Sequence, residues 1–487
     1  MNELAFLSAH ELAQRIRRKE VSALELLDLY LARIDRLNPA IRAVPVLDTE
    51  RARERARAAD AALARGESWG PLHGVPMTVK EAFNVAGLPT TWGFESYRDN
   101  RPETDAVTVQ RLSGAGAVIF GKTNVPVYLA DWQSFNPVYG TTCNPWDLAR
   151  TPGGSSGGSA AALAAGLTGI ELGSDIGASI RNPAHYCGVW GHKPTWGVVS
   201  MDGHELGPQH GPDSMDICVA GPMARSAFDL ELALEILAAP LTAMTPLGRV
   251  PMAWRTRGTQ PRRCRVAVAY DDACAEVDAS VQQALRDLSS WLQRQGVAVS
   301  EDARPVDSAE THHTYIHLLR AATGAAYNDA MYAQALERAQ RFARDDQSYP
   351  AWHFRGNTMS HRTWVQIDEV RAKLRKQWAA FFEQHDFLIC PTATSPAFER
   401  NERGERWERM IPVNGKPQPT TDALFWAGYP GLVGLPATAV PLGLSAQGLP
   451  IGAQIIAPAF GDIDALRFAQ WLEREYRAFV PPPMAAE

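Results

Sequence analysis

At 487 residues, 45% of them hydrophobic and 21% charged, the chain can bury a substantial core, which excludes a disordered protein. A net charge of −6 speaks against a nucleic-acid-binding surface, and no run approaches the roughly 18 apolar residues of a membrane span. The six cysteines, Cys143, Cys187, Cys218, Cys264, Cys274 and Cys390, form no CxxC pair and no Cys/His cluster with ligand spacing. Free buried thiols and no metal are therefore expected. The opening MNELAFLSAHELAQRIRRKE is charged throughout and lacks the apolar centre of a signal peptide, so a cytoplasmic protein is expected.

Ser8 and Glu11 have capping-box spacing ahead of Leu12 and Ile16, and Ser22 and Glu25 repeat it ahead of Leu27, Tyr30, Leu31 and Ile34. Residues 51–65 read as an alanine- and arginine-rich helix whose charges form a solvated face. From Gly74 the texture changes: a short apolar strand over 75–80 ends in Lys80, a helix covers 107–112, and 117–120 is a buried strand. Strands over 170–173 and 197–200 continue the alternation. Residues 265–302 predict a βαβ unit, with RVAVAY, a helix over 281–292 and VAVS from Val297. Residues 307–385 are mostly helical, 387–390 resume as a strand, and 398–424 read as a polar loop. Strands over 437–441 and 452–457 and a helix bearing Leu466, Ala469 and Leu472 close the chain. This alternation predicts an α/β fold, a large mixed β-sheet covered by helices on both faces.

The most unusual stretch is 151–195, where Gly153, Gly154, Ser155, Ser156, Gly157, Gly158 and Ser159 precede an alanine-rich helix, and Gly177, Ala178 and Ser179 follow. Ordering that many glycines is entropically costly, and a flexible spacer would not run into strong helix formers. Such backbone is suited to approach something closely. Here the sequence resembles the amidase signature family, serine hydrolases that include fatty acid amide hydrolase and the glutaminase component of the tRNA-dependent amidotransferase. The resemblance rests on GGSSGGSA from Gly153 and DIGASIR from Asp175, with Ala178 where the family usually has a second glycine. PLHGVPMTVKE holding Lys80, GKTNVP from Gly121, GTTCNPWD from Gly140, GHKPT from Gly191, GPMARS from Gly221 and GLPIGAQI from Gly448 extend it. It runs from about residue 7 to 476 and is weakest over 240–430.

The resemblance implies a single domain over 1–487. Within it, N-terminal helices occupy 1–65, a catalytic core 70–230, a helical and loop elaboration facing substrate 303–425, and strands and a helix returning to the core 430–480. It also implies Ser179 as nucleophile, Ser155 as bridging serine and Lys80 as base, with backbone N–H groups of Ile176, Gly177, Ala178 and Ser179 as an oxyanion hole. Amide hydrolysis needs an activated nucleophile, an anion cradle and a proton for the leaving amine, and these residues supply all three without a cofactor. A lysine accepts a proton near neutrality only when burial lowers its pKa, and Lys80 ends an apolar strand. Alanine at position 178 implies a negative φ there.

Tyr128, Leu129, Ala130, Asp131 and Trp132 follow GKTNVP, and in the family this segment borders the acyl pocket. Its aromatic residues suit an aryl or bulky apolar amide, anilide or carbamate, with esters as a side activity. The substrate is expected to be a small molecule, with no nucleic-acid or membrane partner and a homodimer as the allowed assembly. Asp175 and Arg181 read as a structural ion pair, and Lys122 and Lys193 as structural lysines. Three rival readings remain open. His185, His192, His204 and His210 could build a serine–histidine triad, though no G-x-S-x-G elbow accompanies them. The chain could be the glutaminase component of an amidotransferase complex. GGSSGGS could be a phosphate loop, though it lacks the Gly-Lys-Ser/Thr ending.

Overall fold

The computed structural model describes residues 2–206, 215–245, 248–258, 260–301 and 303–486. Glu11 and Glu25 reach back to the N–H groups of Ser8 and Ser22 at the starts of α1 (Ala9–Arg17) and α2 (Ala23–Ile41); Ser22 accepts the Glu25 N–H, while the first helical N–H groups are taken by Asp229 in α1 and Asp60 in α2. The short β1 (Val46–Leu47) leads into α3 (Thr49–Ala64), which buries Ala52, Ala56, Ala59 and Ala62 along one face. The strand β2 (Pro76–Lys80), the helix α4 (Val107–Gly114) and the strand β3 (Val118–Thr123) follow. These three strands form a sheet of their own, in the order β1-β3-β2, so Lys80 does not belong to the main sheet. A small hairpin of β4 (Phe135–Asn136) and β5 (Gly140–Thr141) precedes the glycine-rich stretch.

The main sheet begins there. The helix α5 (Gly157–Ala164) leads to β6 (Glu171–Asp175), α6 (Arg181–Cys187), β7 (Trp190–Lys193), β8 (Val219–Ala224) and α7 (Ala227–Leu237). No strand covers 197–200, contrary to expectation: Pro194 offers no N–H, and Gly197 at φ +81 turns the chain away from the sheet. The nearest strand is β7, seven residues earlier. After the hairpin of β9 (Thr242–Thr245) and β10 (Gly248–Pro251), the expected βαβ unit appears as β11 (Arg265–Val268), α8 (Ala279–Arg294) and β12 (Ala298–Ser300), with β11 and β12 parallel.

Four helices then pack over one end: α9 (Ser308–Gly324), α10 (Asp329–Gln340), α11 (Tyr349–Asn357) and α12 (His361–Gln384). The strand β13 (Phe387–Pro391) returns to the sheet. The stretch expected to be a polar loop contains a hairpin of β14 (Met410–Val413) and β15 (Lys416–Pro419) instead. Asn414 and Gly415, both at positive φ, make its two-residue turn, which favours the twist of the flanking strands. The buried helix α13 (Leu424–Gly431), the strands β16 (Ala437–Leu444) and β17 (Pro450–Ile456) and the helix α14 (Asp462–Glu475) complete the core.

The eight-stranded sheet has the order β12-β11-β13-β17-β16-β7-β8-β6. Its β12-β11-β13 edge is parallel and the remaining pairings are antiparallel, so the fold is mixed α/β as expected. The small sheet is tied to this one through a buried carboxyl: Thr78 on β2 donates its hydroxyl to Glu171 on β6. Burial pushes the Glu171 carboxyl up to about 8, so at neutral pH it is held as the acid. That link sets Lys80, at the end of β2, beside the end of β6. All six cysteines are free thiols. Among the described residues no helix is long and apolar enough to cross a membrane.

Candidate active site

Lys80 is fully buried, and its Nζ lies 2.6 Å from Ser155 Oγ and 2.9 Å from Ser174 Oγ. Burial pulls its pKa down to about 7, weakly opposed by Cys218 and Asp175, so the amine is largely unprotonated just above neutrality. Ser155 is presented by the turn before α5, where the Gly154–Ser155 peptide is cis. The glycines there answer a steric demand. Gly153 has φ +86, and a Cβ on Gly154 would lie 2.3 Å from Asp131 O.

Ser179 sits beyond the end of β6, on a turn organised by Asp175. The Asp175 carboxylate accepts the N–H groups of Ala178 at 3.0 Å and Ile180 at 3.1 Å, and Arg181 closes on it at 2.9 and 3.0 Å. The pair is fully buried, and Arg181 reaches on to Gln454 and to Ala427 O, which matches the expected structural role. Burial alone would raise the Asp175 carboxyl; Arg181 reverses this and the net shift is downward. Removing the negative partner strands a guanidinium in the interior, so Asp175→Asn is expected to lower the unfolding free energy by about 3 kcal/mol in urea titration. A loss below about 1 kcal/mol would show that the pair does not hold this turn.

Two expectations for the turn need correction. Ala178 has φ +64, not a negative value. It adopts the left-handed region because that conformation delivers its N–H to Asp175, whose hydrogen bond offsets the roughly 1 kcal/mol that alanine loses there. The Ala178 N–H is therefore engaged. Among the described residues, the N–H groups of Ile176, Gly177 and Ser179 have no partner, and they remain free to receive an anion. The carbonyls beside them are held from outside: Tyr315 donates its hydroxyl to Ile176 O, and Trp132 its indole N–H to Gly177 O, both at 2.8 Å.

Ser155, Ser174, Ser179, Ile176 and Gly177 open on one cavity of about 150 Å³. Both Ser155 and Ser179 line that space, although among the described residues no hydrogen bond joins Ser179 Oγ to Ser155. Tyr128, Leu129, Ala130, Asp131 and Trp132 all line it, together with Trp92, Leu319 and Leu424. Their parts differ. Trp132 fixes the Gly177 carbonyl, and the Asp131 carboxylate is taken by Arg409 at 2.5 Å.

The structure does not assemble a serine–histidine triad among the described residues. His185 lies between Gly452 and Ser395, and His192 between Thr438 and Asp462; His210 lies outside the described residues. His204 lines the cavity, 2.9 Å from Ser174 Oγ, and burial beside Lys80 lowers its pKa to about 3, which keeps it neutral. Lys122 and Lys193 are buried on Thr90 and on Pro194 O, away from the cavity wall. Ser174 and Tyr315 are among the site residues that sequence reasoning misses, as are Trp92, Leu319 and Leu424 on the cavity wall. Ser174 directly precedes DIGASIR, whereas nothing local marks Tyr315, which arrives from α9.

The amidase family model matches residues 25–466. The A subunit of the glutamyl-tRNA(Gln) amidotransferase from Anaeromyxobacter sp. (strain K) is 33% identical over 99% of this chain and 98% of its own length. An indoleacetamide hydrolase from Bradyrhizobium diazoefficiens is 32% identical over 96% and 86%. Among solved structures, a 6-aminohexanoate cyclic dimer hydrolase superposes with a TM-score of 0.78 at 27% identity, covering 99% of each chain. The chain belongs to the amidase signature family and is an amide hydrolase acting on carbon–nitrogen bonds.

Proposed function

We propose that the chain cleaves its amide through a Ser179 acyl-enzyme. Neutral Lys80 draws a proton from Ser155, which draws one from Ser179 as that hydroxyl attacks the carbonyl carbon. The second link tightens when substrate seats, since catalytic hydrogen bonds are often long in empty sites. The N–H groups of Ile176, Gly177 and Ser179 take up the charge on the carbonyl oxygen. The relay then runs backwards: Lys80 returns the proton through Ser155 to the departing nitrogen, and the C–N bond breaks. Water repeats the cycle to release the acid. The observation that carries this reading is the buried Lys80 amine at 2.6 Å from Ser155 Oγ.

The wall formed by Trp92, Tyr128, Leu129, Trp132, Leu319 and Leu424 supports an aryl or bulky apolar amide, anilide or carbamate, with esters as weaker substrates. The similarity to amidotransferases favours a second reading, a glutaminase that works within a complex; the apolar wall speaks against it. Assaying the purified chain alone on anilides, aryl carbamates, aliphatic amides and glutamine separates the two. An anilide or carbamate is expected to exceed glutamine in kcat/KM by at least about tenfold. Glutamine as the best substrate would overturn the apolar reading.

A further inference from the structure

The helix α9 runs along the cavity from its catalytic end. Tyr315 touches the Ile176 carbonyl, and Arg320, five residues on, lines the same cavity. At 1.5 Å per residue, the two positions lie about 7.5 Å apart along the helix axis. Tyr128 closes that distal end by donating its hydroxyl to Thr323 O at 2.8 Å.

Arg320 is 4% exposed. Among the described residues it has no carboxylate partner; its Nη2 donates to Tyr349 Oη at 2.5 Å and its Nε has no partner. Arg406 lines the same cavity, spends Nη1 on Ala130 O and also leaves Nε unpartnered. Buried arginines elsewhere in the chain have other partners: Arg181 and Arg371 hold aspartates, and Arg225, whose Nε is likewise unpartnered, is met by several backbone carbonyls. Asp131, whose carboxylate is also on the cavity wall, is ion-paired with Arg409 and feels the charge of Arg406 as well, which leaves Arg320 as the arginine without a carboxylate beside it. Two guanidinium groups thus line a largely apolar space, and among the described residues neither is hydrogen-bonded to a carboxylate.

We propose that the cavity accepts an amide or carbamate whose apolar acyl body ends in a carboxylate, seated with its carbonyl at Ser179 and its carboxylate at Arg320 and Arg406. The inference rests on the Ser179 reading and deepens it. A guanidinium buried without a counter-ion is expensive, and an arriving carboxylate recovers that cost through charge-assisted hydrogen bonds. A neutral acyl body of equal size leaves Arg320 without a counter-ion and Arg406 sharing Asp131 with Arg409. The acyl side is the one concerned, because Arg406 grips Ala130 within the segment that borders the acyl pocket in the family.

The test compares mono-4-nitroanilides of adipic and suberic acid with the heptanoyl and nonanoyl 4-nitroanilides, which approximate them in length without the charge. The acids are expected to have kcat/KM at least about tenfold higher, through KM. In Arg320→Gln and Arg406→Gln that ratio should fall towards one, with Arg320→Lys keeping part of it. Arg406 is less buried, so its variant decides the matter if Arg320→Gln does not fold. Equal or better turnover of the neutral anilides, or a preference surviving both substitutions, would overturn the inference. Calorimetry on Ser179→Ala with the same pairs reads the carboxylate preference without turnover. A preference there, alongside Ser179→Ala protein that still hydrolyses anilide, would sink the nucleophile assignment and leave the carboxylate site standing.

Discussion

Ser179→Ala is expected to lower kcat for the best anilide by about 10⁴-fold or more, with the thermal midpoint unchanged within about 2 °C. The magnitude follows from the division of labour at the site. The N–H groups of Ile176, Gly177 and Ser179 survive the substitution, so residual rate enhancement persists through binding and anion stabilisation alone. What disappears is the covalent route. Ser155→Ala keeps the nucleophile and removes the proton's path from it to Lys80, so a smaller loss, about 10²–10³-fold, is expected. Mass spectrometry after treatment with a fluorophosphonate should find one adduct, on the peptide carrying Ser179. Activity retained in Ser179→Ala, or an adduct placed on Ser155, would reverse the two assignments.

The second large effect concerns Lys80 and pH. With its pKa pulled down to about 7 by burial, the amine is the active, unprotonated form above that value. Below it the relay cannot accept a proton. For a substrate that does not ionise, kcat/KM should therefore fall about tenfold per pH unit below 7, reaching roughly a hundredth of its plateau at pH 5. Lys80→Met should cost about 10²–10⁴-fold, and the residual activity should lose this acid limb. A profile with its acid limb near pH 4, or one that Lys80→Met leaves in place, would show that another group sets the pH dependence.

Some elements are legible in the sequence because their determinants are local. The capping boxes at Ser8 and Ser22, the alanine face of α3 and the βαβ unit of β11, α8 and β12 each follow from spacings within one segment. Local chemistry can also mislead. Asn414–Gly415 is a strong hairpin signal, but Pro412, Pro417 and Pro419 around it resemble loop composition. Val198 and Val199 are buried without being in a strand, and burial of a short apolar run does not by itself report sheet pairing.

At the site, Lys80, Ser155 and Ser179 are legible as candidates through the family resemblance, because the motifs that carry them are each local in sequence. The sign of φ at Ala178 is not readable in the same way. It depends on where the Asp175 carboxylate points, and that is settled by Arg181 and by Gln454 on β17. The environment of Lys80 is likewise a matter of tertiary structure, since a lysine titrates near 7 only when separate segments exclude water from it together. From α9, in the part of the chain where the motifs are faintest, Tyr315 reaches the Ile176 carbonyl and Arg320 the cavity. The sequence alone determined the family and which groups are candidates for the chemistry. Which N–H groups stay open, which charges go unpaired and what the cavity can hold were decided only when distant segments packed, because hydrogen-bond competition and desolvation depend on neighbours far apart in the chain.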